Sequence, residues 1–391
     1  MSTATAVRGR RARIERLLPS AEAYDLLELV EEFSAKELAP IVDAHERAGK
    51  YPEGLFRSLG ELGLLGLPFG EEWGGGEQPY EVYLQVLEEL ARTWASVAVA
   101  VSVHTMATSA VIAHGDDELR ARFVPALLDG STVAAYSLSE PHAGSDVSAL
   151  ACRAVAGPDG YRVTGEKSWI THGGVADAYV LFTRTAPGAG GVTAFVAPRD
   201  LDGLTFSTPL EKMGLSAIPT ASAYLSDALI DRSLRLGEEG KGLSIALGAL
   251  DSGRLGIAAV ATGLAQGALD AALDYATERE AFGKPIIAHQ GLGFLLADMA
   301  AAVDSARSAY VDAARRRDRG MPFTRHAAVA KLTATDSAMR VTTDAVQVLG
   351  GAGYTREFPV ERYMREAKVM QIFEGTNQIQ RLVISRSLGA R

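Results

Sequence analysis

The chain has 391 residues, of which 47% are hydrophobic and 22% charged, and its net charge is -9. Such a length exceeds what one hydrophobic core holds and implies two or three domains of a soluble globular protein, while the acidic balance disfavours nucleic acid as a partner. A single cysteine, Cys152, rules out an intrachain disulfide, suits a reducing compartment and reads as a small buried hydrophobe.

Arg8, Arg10, Arg11, Arg13 and Arg16 open the chain behind Ser and Thr with no apolar core after them, so residues 1–19 read as a flexible arm rather than a signal or organelle transit segment. From 20 to 130 apolar residues recur at three- and four-residue spacing, as in Leu26, Leu27, Leu29, Val30 and Phe33, which predicts a helical domain broken by the loop Trp73-Gly74-Gly75-Gly76. Thr93 to Gly115 contains no Asp, Glu, Lys or Arg and is long enough to cross a bilayer. Its Ala, Ser and Thr content with His104 and His114 reads instead as a helix buried in a protein core.

Between 131 and 238 short β-favouring runs appear, at Tyr161 to Thr164, Ala178 to Phe182 and Val192 to Val196, separated by turns such as Pro158-Asp159-Gly160. From 239 to 391 long Ala- and Leu-rich helical patterns return, broken at Phe282-Gly283-Lys284-Pro285, Gly320-Met321-Pro322 and Gly350-Gly351. The cluster Arg315, Arg316, Arg317 and Arg319 reads as a solvated helix end. Helical, then β, then helical is an α+β order, and it lacks the strand-helix alternation of a doubly wound sheet.

Common catalytic signatures are absent. There is no Gly-x-Gly-x-x-Gly after a strand, no P-loop, no Gly-x-Ser-x-Gly and no histidine pair at metal-ligand spacing. A metal site and a hydrolase triad are therefore disfavoured, and a nucleotide cofactor would have to bind without a Rossmann turn.

What remains is a set of segments mixing small and polar residues. Tyr136 to Asp146 carries Ser139, Ala143, Gly144 and Ser145, where small residues let backbone N–H groups approach a ligand and hydroxyls can fix a polar ring edge or a phosphate. Lys167 to Gly174 adds Trp169 as a flat apolar wall and Thr171 as a donor; alone, the pair reads equally as a Gly turn beside a core Trp. Arg279 to Pro285 is followed by His289-Gln290, and Gln347 to Tyr354 contains Gly350-Gly351, which either cap a helix or bare the backbone for a pyrophosphate. Last comes Ile372-Phe373-Glu374-Gly375-Thr376-Asn377-Gln378, a loop feeding a helix, in which Thr376 or Asn377 caps the segment from Gln378 to Leu388 and Glu374 stands just before its positive end.

Together and in this order, these segments resemble the acyl-CoA dehydrogenase flavoprotein family over nearly the whole chain. The resemblance implies an N-terminal helical domain, a central antiparallel β-barrel or sandwich domain and a C-terminal four-helix bundle. It also implies FAD lined by Tyr136, Leu138, Ser139, Trp169, Ile170 and Thr171, with Ser145 near cofactor or acyl-CoA and Thr376 and Gln378 beside the flavin. Arg279, Phe282, Gln290, Gln347, Gly350 and Gly351 match residues that contact the ADP part from different subunits, so a homotetramer is expected to complete the cofactor site. Asp251, Arg254 and Gly375 match positions bordering the acyl-CoA; a helix-surface ion pair is the plainer reading of the first two.

Glu374 matches the catalytic base. In some branches that base stands one residue before Arg254, and here that position is Gly253, which carries no carboxylate. The implied reaction is α,β-dehydrogenation of an acyl thioester, Glu374 taking the α-proton while the β-hydrogen leaves as hydride to flavin N5. A Glu of ordinary pKa, about 4.3, is too weak for this, so burial must raise it and hydrogen bonds must stabilise the enolate-like charge. In the family those donors are the backbone N–H of the Glu and a ribityl hydroxyl.

Ser216 and Ile218 stand where the family commonly has Arg and Ser, and His142 and His172 replace a usual Gly and Asn, which leaves open whether the acyl carrier is coenzyme A or a carrier protein. An electron-transfer flavoprotein as acceptor and a cytoplasmic location, with the mitochondrial matrix second, are family expectations; neither membrane nor nucleic acid is an expected partner. An oxidase on the same fold and a noncatalytic acyl-CoA-binding protein are the rival readings.

Overall fold

The computed structural model describes residues 14–390, so Arg8, Arg10, Arg11 and Arg13 of the expected arm lie outside the described residues. Residues 14–19, assigned to that arm from sequence, are docked. The Arg16 side chain is almost fully buried between Glu88 and Glu89, each 2.9 Å away, and Leu18 is buried; the arm adds a cation to two buried carboxylates that also pair with Arg307 and Arg92.

Six helices follow: α1 (Ala21–Phe33), α2 (Val42–Ala48), α3 (Leu55–Glu61), α4 (Tyr80–Thr93), α5 (Ala95–His114) and α6 (Asp117–Leu128). Ser20 and Asp116 cap α1 and α6, their side chains accepting from the N–H groups of Ala23 and Leu119. The first N–H groups of α4, on Tyr80 and Glu81, donate instead to the carboxylate of Asp318 in the C-terminal part of the chain. Helix α5 is apolar on every side and long enough to cross a membrane, as is Gly242–Glu278. It is nonetheless covered by protein, packing against α4 and α6.

The middle of the chain forms one sheet from β1 (Ala134–Ser137), β2 (Arg153–Gly157), β3 (Gly160–Thr171), β4 (Ala178–Arg184), β5 (Val192–Pro198), β6 (Leu204–Phe206), β7 (Thr220–Ile230) and β8 (Arg235–Leu236). Its order is β6-β7-β3-β2-β4-β5-β8, with β1 beside β4. Most pairings are antiparallel, as expected. Two are parallel, β1 with β4 and, at the Arg153–Arg184 pair, β2 with β4. In β3 the register against β7 slips between Lys167 and Ile170, a bulge at which Trp169 takes a left-handed φ of 62°.

The C-terminal part begins with α7 (Gly242–Glu278), turns through a small hairpin of β9 (Glu280–Ala281) and β10 (Lys284–Pro285), and continues with α8 (Gln290–Asp318), α9 (Thr324–Leu349), α10 (Val360–Met370) and α11 (Asn377–Ser387). Helices α7, α8 and α9 pack on one another, α10 lies on α7 and α9, and α11 on α9. Helix α7 also packs closely on α4: a Cβ at Gly263 would lie 2.1 Å from the carbonyl oxygen of Glu88, and one at Gly267 would lie 2.5 Å from that of Arg92. Only glycine permits that approach, which ties the N-terminal helices to the bundle.

Candidate active site

Glu374 sits between α10 and α11 with a left-handed φ of 55°, followed by Gly375 at 82°. A non-glycine residue there is strained by about 1–3 kcal/mol and needs its surroundings to hold it. The side-chain amide of Gln380 donates to the carbonyls of Glu374 (3.2 Å) and Gly375 (2.8 Å), and Lys331 Nζ also donates to the carbonyl of Gly375 (2.9 Å). Thr376 caps α11 through its hydroxyl, which accepts from the N–H of Ile379, as expected.

The residue is part-exposed, yet its Oε2 atom is buried and has no hydrogen-bond partner. Burial pushes the carboxyl up to about 7, against the opposing pull of the Arg254 and Lys331 cations. Oε2 faces α7: a Cβ on Gly253 would lie 2.7 Å from it and 2.9 Å from Met106 Sδ. Beside them is a cavity of about 220 Å3 lined by Tyr80, Met106, Ala110, Ile245, Ala249 and Gly253 among others.

Asp251 and Arg254 form the ion pair read from the sequence, and Asp251 also accepts from Thr324 Oγ1 at 2.6 Å. Arg254 is buried and its Nε is unpartnered, so it is more than a surface pair. Tyr136 reaches over from β1, its hydroxyl donating to the carbonyl of Ala246 at 3.3 Å; burial first, and then the Glu374 charge, hold its phenol well above the usual range.

The bulge in β3 turns Trp169 outward, leaving it 66% exposed, an unusual state for a residue of that size in a strand. Thr171 and Ser139 are half-buried, and Ser145 is exposed on the Gly144 loop. That loop is anchored from beneath. Glu140 accepts from the N–H groups of Ala151 and Cys152 and pairs with the fully buried Lys167, whose ammonium also donates to the carbonyl of Leu138. Leu138 and Ile170 are themselves buried, Ile170 almost completely, so neither side chain is open to a ligand. His172 is likewise buried, packed edge-on against Phe56 and Tyr51 with its imidazole pushed down to about 3 by burial. It therefore points away from any open face.

A second group lies elsewhere. Arg279, Phe282 and Gln290 are exposed around the β9–β10 hairpin, with Phe282 95% exposed at a left-handed φ of 54°. Gln347, Gly350 and Gly351 are exposed at the end of α9, where nothing lies within 4 Å of a Cβ on either glycine. Arg279 stands at the far end of α7, about 39 Å along the axis from Gly253 at a rise of ~1.5 Å per residue. One chain therefore does not bring this group to Glu374.

Lys331, Gln380 and Tyr80 were missed by reading the sequence. Lys331 interrupts the small-residue stripe Ala327, Ala328, Ala330, Ala334 and Ala338 that α9 buries, but the sequence alone does not say that its ammonium stays inside. Among the described residues no group of three or more His, Cys, Asp or Glu is placed to hold a metal ion.

Three family profiles match consecutive parts of the chain: acyl-CoA dehydrogenase N-terminal domain at 20–131, middle domain at 135–228 and C-terminal domain at 240–389. An acyl-CoA dehydrogenase of Bacillus subtilis is 40% identical over 94% of this chain and 98% of its own length. The solved butyryl-CoA dehydrogenase of Megasphaera elsdenii is 38% identical and superimposes with a TM-score of 0.93 over 96% of this chain and all of that one. A chain solved under the description of an electron transferring flavoprotein of Acidaminococcus fermentans is 39% identical, with a TM-score of 0.94 over 96% of this chain and 99% of that one.

Proposed function

The chain belongs to the acyl-CoA dehydrogenase family, FAD-dependent oxidoreductases acting on CH–CH bonds, and from that premise we propose that Glu374 is the base that removes the α-proton of an acyl-CoA. The observation that carries this reading is the buried, unpartnered Oε2 of Glu374 beside Gly253 and the cavity. A carboxyl pushed up to about 7 is about half ionised at neutral pH and basic enough to accept a proton, whereas an ordinary surface Glu is ionised but too weak a base.

The residues present fit a flavin. Trp169 offers an exposed ring and Thr171 a hydroxyl at the end of β3, Ser139 lies alongside with its carbonyl accepting from the N–H of Ser168, and the bared backbone of Gly350 and Gly351, in the separate group, leaves room for the pyrophosphate of a cofactor held by a second subunit. Bound there, FAD supplies the acceptor for the hydride that leaves the β-carbon. The chain's own work is to hold the acyl group in the cavity, exclude water from Oε2 and present a backbone N–H of the 374–376 loop to the thioester oxygen as charge develops. Asp251, Arg254, Ser145 and Gly375 border the acyl-CoA, and Leu138, Ile170, Thr376 and Gln378 border the flavin.

The cavity of about 220 Å3 is smaller than the ~300–1,000 Å3 usual for drug-sized ligands, which together with the likeness to a butyryl-CoA enzyme supports a short acyl chain. Arg279 stands at the opposite end of α7 from Gly253, and the exposure of Arg279, Phe282, Gln290 and Gln347 within one chain supports a homotetramer sharing each cofactor between subunits. An electron-transferring flavoprotein is the proposed electron acceptor, and the cytoplasm the proposed location. Division at 20–130, 131–238 and 239–391 assigns the flavin wall to the middle part and the base to the last.

Anaerobic titration with butyryl-CoA tests the reading. Wild-type flavin is expected to bleach, and Glu374→Gln to bind FAD and ligand without bleaching. Normal bleaching in that variant removes Glu374 from the role.

A further inference from the structure

Helix α9 buries a lysine that no step above uses. Lys331 is fully buried, and its ammonium donates to the carbonyl of Gly375 and to Asn377 Oδ1, both at 2.9 Å. Asn377 is locked in turn, its amide donating to Thr335 Oγ1 (2.9 Å) and Asp336 Oδ1 (2.7 Å). A buried ammonium costs several kcal/mol unless it is paired, so this one is retained against a penalty that a leucine or methionine on the same stripe would avoid. Its two hydrogen-bond acceptors are neutral, and the nearby carboxylates are those of Glu374 and Asp336.

We propose that Lys331 is the positioning residue of the proton transfer: it clamps the left-handed turn that carries Glu374 and sets a positive charge against that carboxylate, keeping the base ionised in the resting enzyme. The inference rests on Glu374 being the base. Loop and charge are two separable functions of one ammonium. Gln380 also grips both carbonyls of the turn, so the clamp is shared, and the charge is shared with Arg254, whose pull on Glu374 is the larger of the two and which is itself ion-paired with Asp251; Lys331 is the cation tied to the turn itself.

The groups facing the pair are Arg254 from α7, Asp336 on α9 itself with its ion-pair partner Arg381 from α11 at 3.1 Å, Tyr80 from α4 and Tyr136 from β1. Tyr80 and Tyr136 are held neutral by burial across the working range, so Lys331, Asp336 and the Asp251–Arg254 pair set the local field. Burial pushes Lys331 down to about 7, opposed by Glu374 and Asp336, while Arg254 lowers it further. Glu374 and Lys331 thus titrate in the same range and favour each other's charged forms.

The sign of the effect follows. With the ammonium present, Glu374 loses its proton at lower pH; without it, the carboxyl stays protonated to higher pH. The experiment is the pH profile of kcat/KM with butyryl-CoA for holoenzyme of wild type, Lys331→Gln, Lys331→Met and Lys331→Arg. Wild type is expected to show an acid limb near 7. Lys331→Gln keeps a donor for Gly375 but no charge, and it should move that limb alkaline by about one pH unit, with activity recovering above it. Lys331→Met should do the same where it folds, and Lys331→Arg should restore the wild-type limb. A uniform loss at all pH values with an unmoved limb makes Lys331 structural only and overturns the proposal, as does a limb that moves equally in Lys331→Arg. Glu374→Gln run alongside separates the two readings: bleaching there defeats the base assignment, whereas its loss together with an unmoved Lys331→Gln limb defeats only the inference about Lys331.

Discussion

A Cβ placed on Gly253 would lie 2.7 Å from Oε2 of Glu374, so a residue of α7 and one of the C-terminal loop, 121 positions apart, meet at one point in space. Both positions that the family resemblance offers for a base therefore address the same spot, and here the loop fills it while the helix leaves room. Gly253→Ala should displace the end of a flexible side chain rather than backbone, at little cost in stability. Flavin reduction by acyl-CoA should fall at least tenfold with Tm nearly unchanged, read by stopped-flow and calorimetry. Unaltered reduction would mean that Oε2 does not act from that place.

Glu88 on α4 gathers Arg16 from the N-terminal segment and Arg307 and Tyr310 from α8 into one buried cluster. Burial alone would raise its carboxyl, but the two guanidinium groups and their hydrogen bonds overrule it and hold the group at about 2. A folded-state value below the unfolded 4.5 contributes stability above pH 4.5 that is lost as pH falls toward 2. Glu88→Gln takes one carboxylate from two guanidinium groups that keep Glu89 (Arg16) and Asp304 (Arg307), and should lower unfolding free energy by about 1.5–3 kcal/mol at pH 7. The difference from wild type should shrink over that acid window, which urea unfolding at several pH values would reveal.

Phe282 is 95% exposed, and among the described residues its ring neighbour is His289 at 5.9 Å. An aromatic ring held out on a tight hairpin suits a contact with a second copy. Phe282→Asp should leave the fold of a single subunit intact while shifting the assembly toward smaller species and lowering FAD content severalfold. Light scattering combined with the flavin-to-protein absorbance ratio measures both at once. An intact assembly retaining full flavin would remove the hairpin from the shared site.

The order of helices, sheet and helices was legible because hydrophobic periodicity changes from three-four to two and back near residues 131 and 239. Strand β7 was not, since its Ala- and Ser-rich sequence has weak intrinsic β preference and becomes a strand by pairing along β3. Trp169 could be named but not aimed: its exposure depends on a bulge that no local pattern announces. Glu374 and Gly253 were readable as a pair because one of them lacks a side chain where the other has a carboxylate. Lys331 was not, because a lysine on an alanine stripe ordinarily snorkels to solvent, and only the carbonyl of Gly375 and the side chain of Asn377 explain why this one stays inside.

Helix α7 is one unbroken rod bearing Gly253 and Arg254 about a third of the way along and capped by Arg279 at its end. A rod of this kind works as a vernier: each residue along it advances about 1.5 Å and turns about 100°. A single insertion anywhere between 256 and 278 would swing the hairpin to another quadrant while leaving the acyl cavity untouched. Insertions that survive selection in this stretch should therefore come in sets that restore the phase, or else go with a different way of gripping the nucleotide.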